Sequence, residues 1–453
     1  MQLIATDNKQ VVIGLGVTGL SCVRYLAANN KPFSVVDSRE NPPGLEAFRA
    51  EFPDINLTLG DITEASLAGA DELVVSPGVA IDEPAIVKAV AKGAHVCGDI
   101  DLFCRAVDVP VIAITGSNGK STVTTLVGEM IKRSGKRVAV GGNIGTPALD
   151  LLAEETPDIY VLELSSFQLE RSEKLAVDVA TVLNVSADHM DRYKNLLSYH
   201  QAKHRIFRGC KKVVINRADP LSRPLLAEEV DVFTFGLNDS DINGFGLIND
   251  EGIESLAYQF KPLMPVSALK MVGRHNIENA LAAMALCRAV GIEVGPMLDV
   301  LREFNGLEHR CQYAGEHRGV RFYNDSKGTN VGAAIASING LKDSANNIVL
   351  IAGGDAKGAD FAPLLPVLKG VVSVMVVIGN AAQVLTDLCK EVLQVVKADS
   401  MESAVNKAAS LATEGDVVLL SPACASFDMF NNYQHRGDVF VAAVQQLSTE
   451  SAS

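Results

Sequence analysis

The sequence predicts an α/β protein of three domains, each built on a mostly parallel sheet. Three observations predict it. At 453 residues the chain is too long for one core. Short apolar runs of strand length alternate with helical stretches along it. Two of these runs feed glycine loops that open helices, at Gly14-Leu15-Gly16-Val17-Thr18-Gly19 and at Thr115-Gly116-Ser117-Asn118-Gly119-Lys120-Ser121-Thr122.

The first segment opens with the strand Val11-Val12-Ile13. Its glycine loop follows, then a helix from Leu20 to Ala28 and a second strand, Phe33 to Val36, ending in Asp37. This is the form of a dinucleotide-binding βαβ unit. Further strands are expected at 73–75 and 95–97, and Ser76-Pro77-Gly78 follows the first of them. The second segment begins near Asp99. The apolar run 110–114 reads as a buried strand before the second glycine loop. Val123, Leu126, Val127, Met130 and Ile131 then share one helical face, and Gly135 ends that helix. Strands are expected at 138–140, 159–163, 179–184, 212–216 and 232–235. Short antiparallel strands are expected between 240 and 272, and an alanine-rich helix over 276–290. The third segment has expected strands at 320–323, 347–352, 372–378 and 417–420, with helices between them such as 401–413. The polar tail Ser448 to Ser453 reads as frayed.

Composition narrows the function. Apolar residues make up 48% of the chain, enough for large cores, and the net charge of −14 argues against nucleic acid as main partner. No secretory signal and no run long enough to span a bilayer is present. Eight scattered cysteines without C-x-x-C spacing read as reduced thiols of a cytoplasmic protein.

The second glycine loop describes a phosphate cradle. Backbone amides face the phosphates, Lys120 neutralises them, and the Ser121 hydroxyl suits Mg²⁺. It is shorter than the common pattern, with only Ser117 and Asn118 between Gly116 and Gly119. The first loop, with Gly14, Gly16, Gly19 and Asp37, suits NAD or equally a UDP-sugar; taken alone it favours NAD, and a second nucleotide loop weighs against a dehydrogenase. Glu163 ends a strand on the ligand side of a parallel sheet, where it suits Mg²⁺ opposite Ser121; the plainer reading is a solvated loop acid. Asp188, His189 and Asp191 follow the next strand, and His189 reads equally as ligand or as structural histidine. Lys203, by pattern alone, is a solvated helix lysine. Asn324-Asp325-Ser326-Lys327, Gly353-Gly354-Asp355-Ala356-Lys357 and Ser421-Pro422-Ala423-Cys424-Ala425-Ser426 are polar loops at strand ends of the third segment, the last expected to open a helix.

Together these residues resemble the muramyl ligases, the ATP-dependent amino-acid-adding enzymes of bacterial peptidoglycan assembly, over nearly the whole chain. The shortened 115–122 loop is characteristic of that superfamily, which includes folylpolyglutamate synthetase. Gly-Gly-Asn-Ile-Gly at 141–145, Leu-Glu-Leu-Ser-Ser-Phe-Gln at 162–168, Asp-His-Met-Asp-Arg at 188–192, Asn-Asp-Ser-Lys at 324–327 and Ser-Pro-Ala-Cys-Ala-Ser at 421–426 are similar to the member that adds D-glutamate. Asp-Asn-Pro-Arg, the motif of the diaminopimelate- or lysine-adding member, is absent, and Gly328 stands where alanine is common.

The resemblance implies a UDP-sugar-binding Rossmann-like domain at 1–98, a central ATPase domain at 99–306 and a C-terminal amino-acid-binding α/β domain at 307–453. It implies ligation of D-glutamate to UDP-N-acetylmuramoyl-L-alanine through an acyl phosphate, with ATP, two Mg²⁺ ions and a CO₂-derived carbamate on Lys203. Val17, Thr18, Asp37, Ser38, Arg39, Ser76, Gly78 and Asn143 would hold the UDP-sugar. Gly116, Ser117, Asn118, Gly119, Lys120, Ser121, Thr122, Asn276, His309, Arg310 and Asp325 would surround ATP. Ser121, Glu163, His189 and Lys203 would ligate the metals, and Lys120, Glu163, His189 and Lys203 carry catalysis. Lys327, Thr329, Lys357, Ser426 and Phe427 would receive D-glutamate. A cytoplasmic monomer whose third domain closes on its ligands is expected. Two rivals remain, folylpolyglutamate synthetase, which has no need of the first domain, and an NAD-dependent oxidoreductase.

Overall fold

The computed structural model describes residues 9–450, apart from 174, 227, 228, 272, 343 and 344. Among these residues the strands form three sheets. The first holds β1 (Gln10–Ile13), β2 (Phe33–Asp37), β3 (Leu57–Leu59), β4 (Glu72–Val75) and β5 (His95–Cys97), in the order β3-β2-β1-β4-β5. Its strands are all parallel. The order reverses at β1, so the loop after Ile13 opens at the crevice where such sheets take ligands.

The central sheet holds β6 (Val111–Thr115), β7 (Val138–Gly142), β8 (Ile159–Glu163), β9 (Val179–Val182), β10 (Lys212–Asn216), β11 (Asp231–Asp239), β12 (Gly244–Asp250), β13 (Ile253–Tyr258) and β14 (Lys261–Pro265). Its order is β14-β13-β12-β11-β10-β9-β6-β8-β7. It is parallel from β7 to β12, and β13 and β14 close it antiparallel. The short antiparallel strands expected between 240 and 272 are therefore present, although β12 joins β11 in parallel. β6 is buried along its whole length between β8 and β9, which is why its sequence is continuously apolar rather than alternating. Helices Lys120–Arg133 and Arg274–Ala289 cover one face, through Val123, Leu126, Val127, Met130 and Ile131 packed with Leu281, Met284 and Leu286.

The third sheet holds β15 (Gln312–His317), β16 (Val320–Asn324), β17 (Ile348–Gly353), β18 (Val372–Ile378), β19 (Gln394–Lys397) and β20 (Val417–Leu420), in the order β15-β16-β20-β17-β18-β19. Only β15 runs antiparallel. β3, β15 and β19 escape the sequence reading because each is an edge strand, with few fully buried residues to mark it. Two expectations fail. The loop after β20 does not open a helix at Ser421–Ser426; the next helix is Tyr433–Glu450. That helix also runs into the tail expected to be frayed, whose last three residues lie outside the described residues. No helix of the described residues is long and apolar enough to cross a membrane, and all eight cysteines are free thiols.

Candidate active site

The phosphate loop leaves β6 and turns into helix Lys120–Arg133. Gly119 makes the turn in the left-handed region, at φ +81°, and a Cβ there would sit 2.4 Å from Asn279 Oδ1. The left-handed φ strains any side chain there, and Asn279 would have to shift as well. The loop is pinned to the end of β9: Ser117 N donates to Asn184 O at 2.9 Å, and Asn118 N to Asn184 Oδ1 at 2.8 Å. Lys120 Nζ folds back onto the carbonyl oxygens of Gly116 and Ser117, at 2.8 and 3.0 Å. Burial lowers its pKa, opposed by Glu163 and Asp188.

Parallel pairing puts Glu163 level with Ile114, so its carboxylate emerges beside the base of the loop. Glu163 is only 2% exposed. Its Oε1 accepts from Asn143 Nδ2 at 2.7 Å, and its buried Oε2 has no hydrogen-bond partner. The solvated-acid reading of Glu163 is thus excluded by its burial. Ser121 Oγ accepts from Arg310 Nη2 at 3.0 Å, which ties the third segment to the first turn of the helix. Burial lowers the Arg310 pKa, as expected for a guanidinium withdrawn from water. Asn143, Glu163, Ser121, His309, Arg310, Lys327 and Tyr433 together line a cavity of about 550 Å³.

Helix Leu196–His204 starts on an Asn195 cap, whose side chain accepts from Ser198 N at 2.9 Å. One face of that helix is buried, and Lys203 lies on it, 1% exposed. Solvation, the reading its pattern favours, is overturned. Its Nζ donates to Gly116 O at 2.9 Å and lies 4.6 Å from the Tyr199 ring centroid. Burial first, and Lys120 second, drive its pKa well below the ordinary lysine value. His189 sits at φ +57° with its ring 4.8 Å from that of Phe167. Burial lowers its pKa, opposed by Asp188.

Among the described residues no three His, Cys, Asp or Glu side chains form a ready metal cage. The donors at hand are hard oxygens and one imidazole: Ser121 Oγ, the unpartnered Glu163 Oε2 and His189. That set fits Mg²⁺, which keeps several waters and takes phosphate oxygens as ligands.

A second cavity, about 350 Å³, adjoins the loop on the other side. It is lined by Asn118, Gly119, Thr122, Asn276, Arg310, Asp325 and Lys327 among others. Asp325 accepts from Ser337 Oγ at 2.6 Å and from Ser421 Oγ at 2.7 Å, and burial pushes its pKa up to about 6. Lys327 lines both cavities; Thr329, Lys357, Ser426 and Phe427 line neither. Ser426 is buried, Phe427 is 69% exposed, and Lys357 is felt electrostatically at His189.

A third cavity, about 710 Å³, lies over the first sheet and is lined by Val17, Thr18, Asp37, Ser38, Arg39, Ser76 and Gly78 with others. Asp37 is buried, and both its oxygens are engaged: Leu15 N donates to Oδ2 at 2.6 Å, and Arg39 grips both through its side chain. Burial raises its pKa, and the Arg39 and backbone hydrogen bonds outweigh that and hold it below the usual carboxylate range. Asp37 thus acts on this cavity largely by aiming Arg39. Asn143 is not among its lining residues; it sits instead on Glu163.

The sequence reading passed over Tyr433, Arg436 and Arg192. The Tyr433 ring centroid lies 3.8 Å from the Lys327 ammonium. Arg436, fully buried, donates to Ser326 Oγ and O at 2.9 and 2.8 Å and to the carbonyls of Cys424 and Ala425, both at 3.1 Å. It therefore binds together the two loops that carry Lys327 and Ser426. Arg192 stacks 4.7 Å from the Phe167 centroid and reaches Val79 O, in a loop of the third cavity. Only Arg192 stood in a motif singled out from the sequence; Arg436 carries no local pattern.

Three family models match in succession: Mur ligase MurD-like, N-terminal domain, at residues 8–98; Mur ligase middle domain at 114–287; and Mur ligase, glutamate ligase domain, at 309–424. The chain is 54% identical over 449 residues to the UDP-N-acetylmuramoylalanine--D-glutamate ligase of Pseudomonas aeruginosa, covering 99% of this chain and 100% of that one. It is 50% identical over 447 residues to the enzyme of the same name from Marinobacter nauticus, with the same coverage. Its fold is similar to that of MurF ligase from Thermotoga maritima, solved with ADP (TM-score 0.61, 15% identity, 98% of this chain and 100% of that chain). It is also similar to a pseudomurein peptide ligase type C from Methanothermus fervidus (TM-score 0.60, 19% identity, 91% and 96%).

Proposed function

The chain belongs to the Mur ligase family, and we infer that it joins D-glutamate to UDP-N-acetylmuramoyl-L-alanine with conversion of ATP to ADP and phosphate, a step of peptidoglycan synthesis. The observation that carries this reading is the cavity that gathers Ser121 and Glu163 from the central segment with Arg310 and Lys327 from the third segment. An acid activated at the first pair meets an amine delivered beside the second.

Carboxylate and amine do not condense at neutral pH, so the acid is activated first. The L-alanyl carboxylate attacks the γ-phosphorus of ATP, and ADP leaves. The neutral amine of D-glutamate then attacks the acyl phosphate, a tetrahedral intermediate collapses, phosphate departs and the amine loses a proton. Lys120 and the amides of residues 116–122 hold the ATP phosphates. Arg310 neutralises charge on the phosphoryl group in flight. Asn276 and Asp325 border the nucleotide, with His309 beside Arg310. Arg39, aimed by Asp37, serves the UDP diphosphate together with Val17, Thr18, Ser38, Ser76 and Gly78, and Asn143 lies toward the sugar substrate. Lys327, Thr329, Lys357, Ser426 and Phe427 receive D-glutamate.

Ser121 and Glu163 would hold one Mg²⁺, and His189 with Lys203 a second. Mg²⁺ supplies charge neutralisation at the phosphates. Lys203 serves as a ligand only once its neutral amine has added CO₂, giving a carbamate and releasing a proton; burial lowers its pKa, which favours the neutral, nucleophilic amine that this addition needs. The reading includes domains at 1–98, 99–306 and 307–453 and a monomer in the cytoplasm.

The deciding experiment is phosphate release with a panel of amino acids. Release that requires both D-glutamate and UDP-N-acetylmuramoyl-L-alanine is expected. Release independent of either substrate, or NADH formation in its place, would overturn the reading.

A further inference from the structure

Asn330 lies three residues beyond Lys327 and caps helix Val331–Leu341; its Oδ1 accepts from Ala333 N at 2.8 Å. Its Nδ2 donates to two residues of the central sheet's loops. One is Asn118 Oδ1 in the phosphate loop, at 3.2 Å. The other is Asp188 Oδ2, also at 3.2 Å. Asn330 is 7% exposed, so this amide is shielded from water while its oxygen and nitrogen are both engaged.

Each acceptor is itself fixed to chemistry. Asn118 is locked to the end of β9, since Asn184 Nδ2 donates back to Asn118 O at 3.1 Å. Asp188 Oδ1 accepts from His189 N at 2.9 Å. A second contact of the same joint is steric. A Cβ on Gly332 would lie 3.0 Å from Ser186 Oγ and 3.4 Å from Asn118 Nδ2, so the helix start approaches as closely as a glycine permits. The start of this helix thus meets the phosphate loop through Asn330 and Gly332, and the residue before His189 through Asn330.

We propose that Asn330, with Gly332 as its close-packed neighbour, is a positioning residue that fixes the Lys327–Thr329 loop against the phosphate loop, so that the acceptor amine meets the acyl phosphate before water does. This rests on the ligase reading above. The amide touches no reacting atom. It sets the separation between two segments that must be in register for amine attack, a term to which rate is steep.

Asn330→Asp and Asn330→Ser both keep a capping oxygen and remove the amide donor that reaches Asn118 and Asp188; the first also places a carboxylate beside Asp188. Asn330→Ser is expected to melt near the wild-type temperature, and Asn330→Asp below it, because two shielded carboxylates then face each other. Their rate of amide formation should fall on the order of tenfold, with little change in KM for ATP. ADP released per amide formed should rise above the wild-type ratio, because water intercepts the acyl phosphate. Gly332→Ala should lower the rate about fivefold, and adding Ser186→Ala should recover most of it, as expected for coupled contacts. This pair keeps the test decisive should the Asn330 variants fail to fold. A wild-type ratio of ADP to amide in all variants, or no recovery in the double variant, overturns the proposal. Wild-type protein without D-glutamate-dependent phosphate release would instead overturn the assigned reaction.

Discussion

Lys120 and Lys203 donate to the same atom, the carbonyl oxygen of Gly116, at 2.8 and 2.9 Å. Two ammonium groups that close repel each other, and burial penalises both charges. Lys203 is the more deeply buried of the two, and its pKa is the further lowered.

This pairing leads to a first prediction. Lys203→Ala should reduce phosphate release on the order of 100-fold or more, since a ligand is lost and charge at the phosphates rises. Added acetate or propionate should restore part of it by entering the vacated space as a carboxylate. Full activity in the variant, measured by phosphate release, would count against a carbamate at this position.

Glu163 carries a buried carboxylate oxygen without a partner. A site kept this way trades stability for ligand binding. Glu163→Gln should leave the stability of the ligand-free protein within roughly 1 kcal/mol of wild type, because removing a buried charge is offset by losing its attraction to Lys120 and Arg310. It should also lower Mg²⁺-dependent turnover by about 100-fold. Thermal unfolding and a Mg²⁺ titration of rate check the two halves separately.

Lys327 predicts a pH limb. Burial, reinforced by Arg310, lowers its pKa to about 8. The folded-state value lies below that of a free lysine, so the charged form is complete only below pH 8 and is lost as pH rises through it. If that charge holds a D-glutamate carboxylate, kcat/KM for D-glutamate should fall above pH 8, approaching about tenfold per pH unit. Lys327→Arg keeps its charge and should lack the limb. The same limb in both proteins would sink the assignment.

Arg436 binds the loops at Ser326 and at Cys424–Ala425 through a guanidinium out of contact with water. Arg436→Leu leaves these buried carbonyls without a donor and should cost on the order of 2–5 kcal/mol. KM for D-glutamate should rise more than KM for ATP, because the displaced loops carry Lys327 and Ser426. Equal changes in the two KM values would assign Arg436 a purely structural role.

Much of this was legible in the amino-acid order because parallel strands bury both faces. β6, β8, β10, β17 and β20 are apolar runs that need no partner to be recognised, and the residues after them fall at the sheet edge by geometry. Glu163, His189, Asp325 and Lys327 could be picked out on that ground. Lys203 could not: a lysine in a polar helical stretch looks solvated, and only packing against Tyr199 and the phosphate loop buries it.

Residue order alone sets the alternation of strands and helices, the two glycine loops and the strand-end residues, since these follow from local periodicity and backbone freedom. Tertiary structure alone decided what those residues meet. The lowered pKa of Lys203, the orphaned oxygen of Glu163, the grip of Arg436 and the reach of Asn330 onto Asn118 all depend on burial and distance between segments far apart in the chain. A string of residues carries no record of either until the three sheets are packed.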